Sequence, residues 1–142
     1  MGDDLAARVA AAMWAGDAAS AGLGMRLLAV GTGTARLEMT VRDDMVNGHG
    51  IAHGGFVFTL ADSAFAFACN SRNQVTVAQA CDIVFVAAAR RGDVLVAEAR
   101  ERTVFGRNAI YDVTVCRGDE VVAEFRGRSR QLPGTVIQEE DS

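Results

Sequence analysis

The stretch GGFVFTLADSAFAFACNS, residues 54–71, contains a single ionisable carboxylate, Asp62, among phenylalanines, alanines and other apolar residues. The apolar run is about 16 residues long and does not alternate with polar residues as a half-buried strand does. Its length and composition therefore predict a helix. Because that helix is apolar on nearly every side, we expect it to be buried in the core rather than to lie on the surface.

The segments on both sides of this helix predict antiparallel strands. In residues 34–41, apolar residues alternate with threonine, arginine and glutamate, which is the period of a strand with one buried face. The Gly-Thr-Gly sequence at 31–33 is typical of a hairpin turn. The predicted strands are residues 24–30, 34–41, 75–86, 93–103, 107–117 and 120–132.

A second, short helix is predicted near the N-terminus, within residues 1–18, where Asp3 and Asp4 suit the first turn and Gly16 suits the end. Residues 133–142 are polar and predict a flexible tail. A chain of 142 residues has the size of one domain. We therefore expect a single α+β domain over residues 1–142, in which about six antiparallel strands wrap the long buried helix.

The composition argues against several classes of protein. The formal net charge is −4 and no basic block is present, so nucleic-acid binding is not expected. The three cysteines, Cys69, Cys81 and Cys116, are scattered without metal-ligand spacing, which favours a reducing compartment and no bound metal. The apolar runs are too short to cross a bilayer, and the N-terminus lacks the pattern of a signal peptide. We expect a cytoplasmic protein without a membrane segment.

Asp62 and the glycines before it form the candidate site. A carboxylate in apolar surroundings loses hydration, so Asp62 is either a general base or nucleophile, or a structural acid that caps a loop or pairs with an arginine. Gly54 and Gly55 stand where the helix begins and where the first backbone N–H groups lack partners within the helix. Such donors can form an oxyanion hole for a carbonyl, although Gly-Gly also occurs in plain tight turns.

The spacing of these groups bears on the assembly. His53 and Asp62 are nine residues apart, which along a helix is roughly 12–14 Å, at about 1.5 Å per residue. They cannot act on one reacting atom within a single chain, so a site that uses both requires the acid of a second subunit and an obligate dimer. His53 could bind the substrate or hold the loop, and Asn47 could orient a water or form a turn. His49 is expected to be a loop residue.

The segment from Asn47 to Ser71 resembles the signature of the hot-dog-fold acyl-CoA thioesterases of the phenylacetate-degradation (PaaI) type. The matching features are Asn47, the His-Gly-Gly of residues 53–55, Asp62, and the run from Ala64 to Ser71. The strand order also agrees, so the resemblance covers roughly residues 20–132.

The resemblance implies a fold and a mechanism. The buried helix lies in a curled antiparallel sheet, and two subunits join their sheets edge to edge. The thioester carbonyl is held by the N–H of Gly54, with His53 and Gly55 shaping the pocket. Asp62 of the partner subunit activates water or attacks directly, and Asn47 helps to place the water or the substrate. CoA, as part of the substrate, lies at the dimer interface, dimers pair into tetramers, and no cofactor is required.

The resemblance also leaves several assignments open. The family often has a small polar residue on the strand after the helix, where this chain has Ala78 and Ala80, with Thr76 or Gln79 as substitutes. Aromatic acyl groups, such as aryl-acetyl groups, are expected. The following phenylalanines could line their pocket or belong to the core: Phe56, Phe58, Phe65 and Phe67. Several arginines could bind CoA phosphates or lie in solvated positions: Arg90, Arg91, Arg107 and Arg128.

Two other functions remain open at this point. A hot-dog hydratase or dehydratase would act on an enoyl thioester without releasing thiol. A non-catalytic acyl-CoA-binding module would not need the carboxylate of Asp62.

Overall fold

A computed structural model of the chain describes residues 2–139. Its helices are α1 (Gly2–Gly16), α2 (Ala18–Gly22) and α3 (Gly54–Cys69), with a single 3₁₀ turn at Asp43–Met45. Its strands are β1 (Arg26–Gly31), β2 (Thr34–Thr40), β3 (Thr76–Phe85), β4 (Val94–Phe105), β5 (Asn108–Arg117) and β6 (Glu120–Gln131). All six strands pair antiparallel in one sheet of order β1-β2-β4-β5-β6-β3.

The long helix α3 packs on one face of this sheet, which confirms the predicted α+β fold. The alternation in β2 decides which face is buried: Leu37 and Met39 have no exposed surface, whereas Arg36 before them and Thr40 after them are exposed. On α3, Leu60 and Ala64 are fully buried against these strands. The helix core and the sheet core are therefore one apolar cluster. No helix of residues 2–139 is long and apolar enough to cross a lipid bilayer.

A glycine on β6 lets α3 lie directly on the sheet. A Cβ added at Gly127 would lie 2.7 Å from Cζ of Phe65, whose ring comes from α3 and is 1% exposed. The same ring packs against Tyr111 and Phe125, with ring centroids 5.6 and 5.8 Å away. Gly127 thus sets the distance between α3 and the sheet at the turn of the helix that follows Asp62.

The end of α3 is fixed by two side chains of the Cys-Asn-Ser sequence. The Asn70 amide donates to the carbonyl oxygens of Ala66 and Thr76 and accepts from the Thr76 N–H, at 2.9, 3.1 and 2.9 Å. Ser71 Oγ accepts a hydrogen bond from the N–H of Gly33 in the β1–β2 turn. This part of the signature holds the helix end against the sheet.

The six predicted strands lie within two residues of the observed bounds, and α1 occupies most of the predicted N-terminal segment. Helix α2 and the 3₁₀ turn were not predicted, because neither is long enough to show a helical period. Residues 133–139 of the predicted tail contain no helix or strand, yet the backbone of Ile137 exchanges two hydrogen bonds with the Asn73 side chain. Residues 1 and 140–142 lie outside the described part of the chain.

Candidate active site

The start of α3 presents free backbone donors at a place open to a ligand. His53 is the N-cap residue, with an extended backbone and no side-chain capping hydrogen bond. Gly54 and Gly55 follow as the first helical residues, so their N–H groups have no acceptor within the helix. A Cβ added at Gly55 would meet nothing within 4 Å, whereas one at Gly54 would lie 2.7 Å from the Phe85 ring. The absence of a side chain at Gly54 therefore leaves room for the Phe85 ring from the end of β3.

The loop before α3 is shaped by Asn47. Its side-chain oxygen accepts hydrogen bonds from the N–H groups of His49 and Ile51, at 2.9 and 3.2 Å. Its backbone N–H donates to the carbonyl of Ile51, and the His53 N–H donates to the carbonyl of Met45. The oxygen of Asn47 is thus used to form the turn. Within residues 2–139 its amide nitrogen has no hydrogen-bond partner and can still bind a ligand.

Asp62 lies in the middle of α3, half-buried and without a partner. Within residues 2–139 its carboxylate makes no hydrogen bond or ion pair. In that part of the chain Asp62 therefore neither caps a loop nor pairs with an arginine, the two structural roles that the sequence left open. Burial raises the pKa of Asp62 above its ordinary value, and the negative charge of Asp17 raises it further. A desolvated, unpaired carboxylate costs stability, which is the usual mark of a functional acid.

The half-exposed side of α3 forms a stripe that contains Asp62. We call it the open face of α3 and define it as Gly55, Thr59, Asp62, Ala66 and Cys69, which recur at the helical period. The other sides of the helix are mostly buried against the sheet and against α2, and Phe56 and Phe58 near its start are partly buried against the core. The open face is therefore the side of α3 that the described chain leaves uncovered.

The open face runs beside an unpaired sheet edge. Strand β3 pairs with β6 on one side only and ends the sheet on the other. Large apolar residues at and just beyond its end are exposed, with Val84, Phe85 and Val86 at 60%, 52% and 57%. An exposed apolar edge strand is a template for pairing with another chain.

Two cavities lie near the ends of α3. The first, of about 380 Å³, has an apolar wall beside Gly54 formed by Val57, Phe85 and Val122. The second, of about 300 Å³, lies by Cys69 at the other end and includes Tyr111. Next to Tyr111, Glu101 accepts hydrogen bonds from the Tyr111 hydroxyl and from both terminal nitrogens of Arg72. The cavity beside Gly54 is suited to an apolar group.

Neither cysteine nor serine is placed to act as a nucleophile on α3. Burial raises the pKa of the Cys69 thiol to about 12, so it is protonated at neutral pH, and burial also raises that of Cys81. The Ser63 hydroxyl is hydrogen-bonded to the Ser20 hydroxyl at 2.8 Å. Asp62 remains the reactive group that the helix offers.

The phenylalanines and the proposed helper positions have distinct environments. Phe65 and Phe67 are buried core residues, and Phe58 packs edge-on against Phe125 at 5.3 Å. The Thr76 hydroxyl donates to the carbonyl of Gln74, so the loop already engages it. Gln79 lies exposed at a β-bulge of β3, between the exposed Ala78 and Ala80. Of the arginines considered for phosphate binding, Arg91 is paired with Asp43 at 3.0 Å.

The structure brings together Asn47, His53, Gly54 and Gly55 around the start of α3, but not Asp62. Eight residues separate Gly54 from Asp62 on one helix, which is about 12 Å along its axis. One carbonyl cannot contact both groups within a chain.

The sequence did not predict the hydrogen bonds that connect Asp17, Ser20 and Ser63 beside Asp62. The Asp-x-x-Ser spacing signals the local cap, whereas nothing in the sequence signals the contact with Ser63.

Comparisons with known proteins agree with this architecture. Residues 49–124 match the family model described as Thioesterase superfamily. The chain is 40% identical over 129 residues to the acyl-coenzyme A thioesterase PaaI of Escherichia coli K12, covering 90% of this chain and 92% of that protein.

Solved structures give the same result. The structure of the E. coli PaaI protein, from the phenylacetic acid degradation operon, superposes with a TM-score of 0.93 at 39% identity, covering 95% of this chain and 99% of that one. A protein from Thermus thermophilus superposes with a TM-score of 0.79 at 38% identity, covering 82% and 98%. These matches confirm the predicted hot-dog fold and the predicted family. The chain therefore belongs to the thioesterase superfamily and is a hot-dog-fold thioesterase.

Proposed function

We propose that this protein hydrolyses an acyl-CoA thioester to the free acid and CoA, at two equivalent sites formed by a homodimer. The observation that carries the proposal is the unpaired, half-buried Asp62 on the open face of α3, beside the unpaired edge of β3. The acyl-CoA substrate class is supported by the name of the E. coli relative.

The dimer follows from the edge strand. Two copies of β3 paired antiparallel about a two-fold axis would continue the sheet across both subunits and cover Val84, Phe85 and Val86. The same axis makes the two α3 helices antiparallel, so that the start of each helix meets the middle of the other. Each site then combines Gly54 of one subunit with Asp62 of its partner, which removes the separation that a single chain imposes.

Two groups act on the thioester, the N–H of Gly54 and the carboxylate of Asp62. The Gly54 N–H and the positive end of the α3 dipole polarise the thioester carbonyl and stabilise the oxyanion. Asp62 of the partner subunit accepts a proton from water while the water oxygen bonds to the carbonyl carbon. The C–S bond then breaks and the CoA thiolate takes up a proton. In the alternative course, the Asp62 carboxylate itself attacks the carbonyl carbon, the C–S bond breaks and the CoA thiolate leaves and takes up a proton; water then hydrolyses the resulting anhydride to the acid and free Asp62.

The remaining site residues assist this step. His53 and Gly55 shape the opening beside the carbonyl, and the free amide nitrogen of Asn47 orients water or the substrate. The apolar cavity beside Gly54 receives the acyl group. An aryl-acetyl or related aromatic acyl group is favoured because the E. coli structure comes from the phenylacetic acid degradation operon. A homotetramer, a cytoplasmic location and independence from metals and cofactors stay predictions.

The activity is tested with a panel of acyl-CoA substrates and detection of the released thiol. Asp62→Asn keeps the shape of the side chain and removes its basicity, so we expect at least about a 100-fold lower turnover. Asp119→Asn, at the exposed β5–β6 turn, makes the same change of charge and should keep wild-type turnover. Wild-type turnover by Asp62→Asn would refute the assignment. Loss of enoyl absorbance without thiol release would identify a hydratase instead.

The shared site is tested by mixing two inactive variants. Gly54→Pro removes the N–H donor; proline is favoured at the first helical position, and His53 already has the extended backbone that must precede it. The added Cβ lies 2.7 Å from the end of the Phe85 ring, so this half-exposed side chain must turn aside in the variant. In a co-expressed mixture with Asp62→Asn, half of the dimers are mixed, and each of these has one intact site. About one quarter of wild-type activity should therefore return. A mixture that stays inactive, although both variants form folded dimers, would show that the site lies within one chain.

A further inference from the structure

Asp17, at the junction of α1 and α2, is held in place by both of its carboxylate oxygens. As the N-cap of α2 it accepts the Ser20 N–H at Oδ1, 2.9 Å away. Its Oδ2 accepts the Ser20 hydroxyl at 2.6 Å. These two hydrogen bonds hold the carboxylate of Asp17 at a fixed position.

Ser20 connects this charge to α3. Ser20 is 1% exposed, and its hydroxyl lies 2.8 Å from that of Ser63. Because Ser20 donates its hydroxyl proton to Asp17, Ser63 donates to Ser20. Ser63 is the residue directly after Asp62, so the hydrogen bonds attach the N-terminal segment to α3 at the position of the proposed base.

We propose that Asp17 is a positioning residue of the active site, whose charge is held beside Asp62 by Ser20 and Ser63 and acts on that base. The inference rests on the proposed function, in which Asp62 takes a proton from water or attacks the thioester. An ordinary aspartate is a weak base at neutral pH, and a neighbouring negative charge makes it a stronger one. The N-terminal segment thereby contributes to the chemistry as well as to the fold.

Other ionisable groups near Asp62 do not supply such a charge. The Cys69 thiol on α3 and the Cys81 thiol on β3 both have pKa values raised by burial and stay neutral. At the far end of the helix, burial raises the pKa of Tyr111 above its ordinary value. Glu101 there is paired with Arg72.

The strands packed under α3 present mainly apolar residues to it: Leu37 and Met39 from β2, Leu95 and Ala97 from β4, Val113 and Val115 from β5, and Ala123 and Phe125 from β6. In residues 2–139, Asp17 is the charged group that raises the pKa of Asp62 in addition to burial. In the proposed dimer, the partner's His53 also approaches this carboxylate.

A purely structural role for Asp17 makes a different prediction. Asparagine caps helices as well as aspartate does: in Asp17→Asn the amide oxygen still accepts the Ser20 N–H and the amide nitrogen donates to the Ser20 hydroxyl, while the charge is removed. If Asp17 serves only as a cap, this variant behaves as wild type. If its charge acts on Asp62, the variant has an altered pH profile and is no less stable than wild type at neutral pH, because the charge that disfavours ionised Asp62 is gone.

The test compares the pH dependence of kcat/KM for wild type, Asp17→Asn and the control Asp119→Asn. The midpoint of the acidic limb should fall by roughly half a pH unit in Asp17→Asn, and the control should match wild type. Asp17→Ser, which also retains a capping side chain, replaces Asp17→Asn if the latter does not fold. An unchanged midpoint in a folded variant overturns the proposal.

A second measurement separates this inference from the proposed function. Carbon-13 NMR of labelled aspartate carboxyl groups, with Asp62 assigned by loss of its signal in Asp62→Asn, follows the titration without turnover. A lower Asp62 midpoint in Asp17→Asn, together with the shifted kinetic limb, supports the proposal, and an unchanged NMR midpoint overturns it. A shifted NMR midpoint in a protein that hydrolyses no thioester overturns the proposed function and, with it, the active-site role of Asp17.

Discussion

Replacing Gly127 by alanine tests whether the contact between α3 and β6 is as close as the structure shows. The added Cβ would lie 2.7, 2.8 and 2.8 Å from three carbons of the Phe65 ring. Ordinary carbon–carbon contacts are about 3.5–4.0 Å, so the ring or the strand must move by about 1 Å. Phe65 is 1% exposed and lies against Tyr111 and Phe125, which leaves it little room.

The expected net effect is destabilising. Overpacking a filled core costs about 1–3 kcal/mol. Alanine in place of glycine restricts the unfolded chain and regains about 0.5–1 kcal/mol. We therefore expect the free energy of unfolding to fall by about 1–2 kcal/mol, measured by urea denaturation at one fixed protein concentration because the stability of the proposed dimer would depend on concentration.

Thioester hydrolysis should fall as well, because Phe65 follows Asp62 by three residues and its displacement moves the helix that carries the proposed base. Gly16→Ala is the matched control: it lies at the end of α1, and its added Cβ meets nothing within 4 Å. The double variant Gly127→Ala with Phe65→Leu should lose less stability than the sum of the two single variants, since the smaller side chain makes room. A Gly127→Ala protein as stable as the Gly16→Ala control would contradict the packing shown here.

Three further predictions concern the ends and the middle of α3. Asp62→Asn should raise the free energy of unfolding at neutral pH, and much less at acidic pH, as urea denaturation at both pH values will check. The pKa of Asp62 is raised in the folded state, so the stability that this group contributes below its unfolded pKa is lost as the pH rises through its folded pKa. Asn70→Ala should cost about 2–4 kcal/mol in the same assay, because the buried N–H and C=O groups of Thr76 lose the Asn70 side chain as their partner. Cys69, with a pKa of about 12, should resist iodoacetamide at neutral pH in the folded protein and react once urea unfolds it, as peptide mass spectrometry will show.

The strands could be predicted because their alternation is regular, but their order in the sheet could not. Strand β3 follows α3 in the chain and pairs with β6, the last strand, rather than with its sequence neighbour β4. Such long-range pairing leaves no local pattern. This order makes β3 one of the two edge strands, the one beside the open face of α3, and the proposed dimer depends on it.

In the candidate site, too, the features formed by neighbouring residues could be predicted from the sequence, and the contacts between distant residues could not. Asn47, the glycines at the start of α3 and Asp62 belong to one continuous segment, so their types and spacing are visible in the sequence. The contact of Ser20 with Ser63 joins residues 43 positions apart. It depends on how the N-terminal segment crosses α3, which local sequence does not record.

The absence of a partner for Asp62 within residues 2–139 follows from the sheet itself. Because successive side chains of a strand point to opposite faces, the strands that bury apolar residues under α3 direct their charged residues to the other face or to the ends. The arginines accordingly pair there, as Arg126 does with Asp112 and Arg117 with Asp93. A group that acts on Asp62 must then come from a segment that crosses the helix, as Asp17 does, or from a second subunit across the edge of β3. The alternation that builds the core thus leaves Asp62 without a charged partner among residues 2–139 of its own chain.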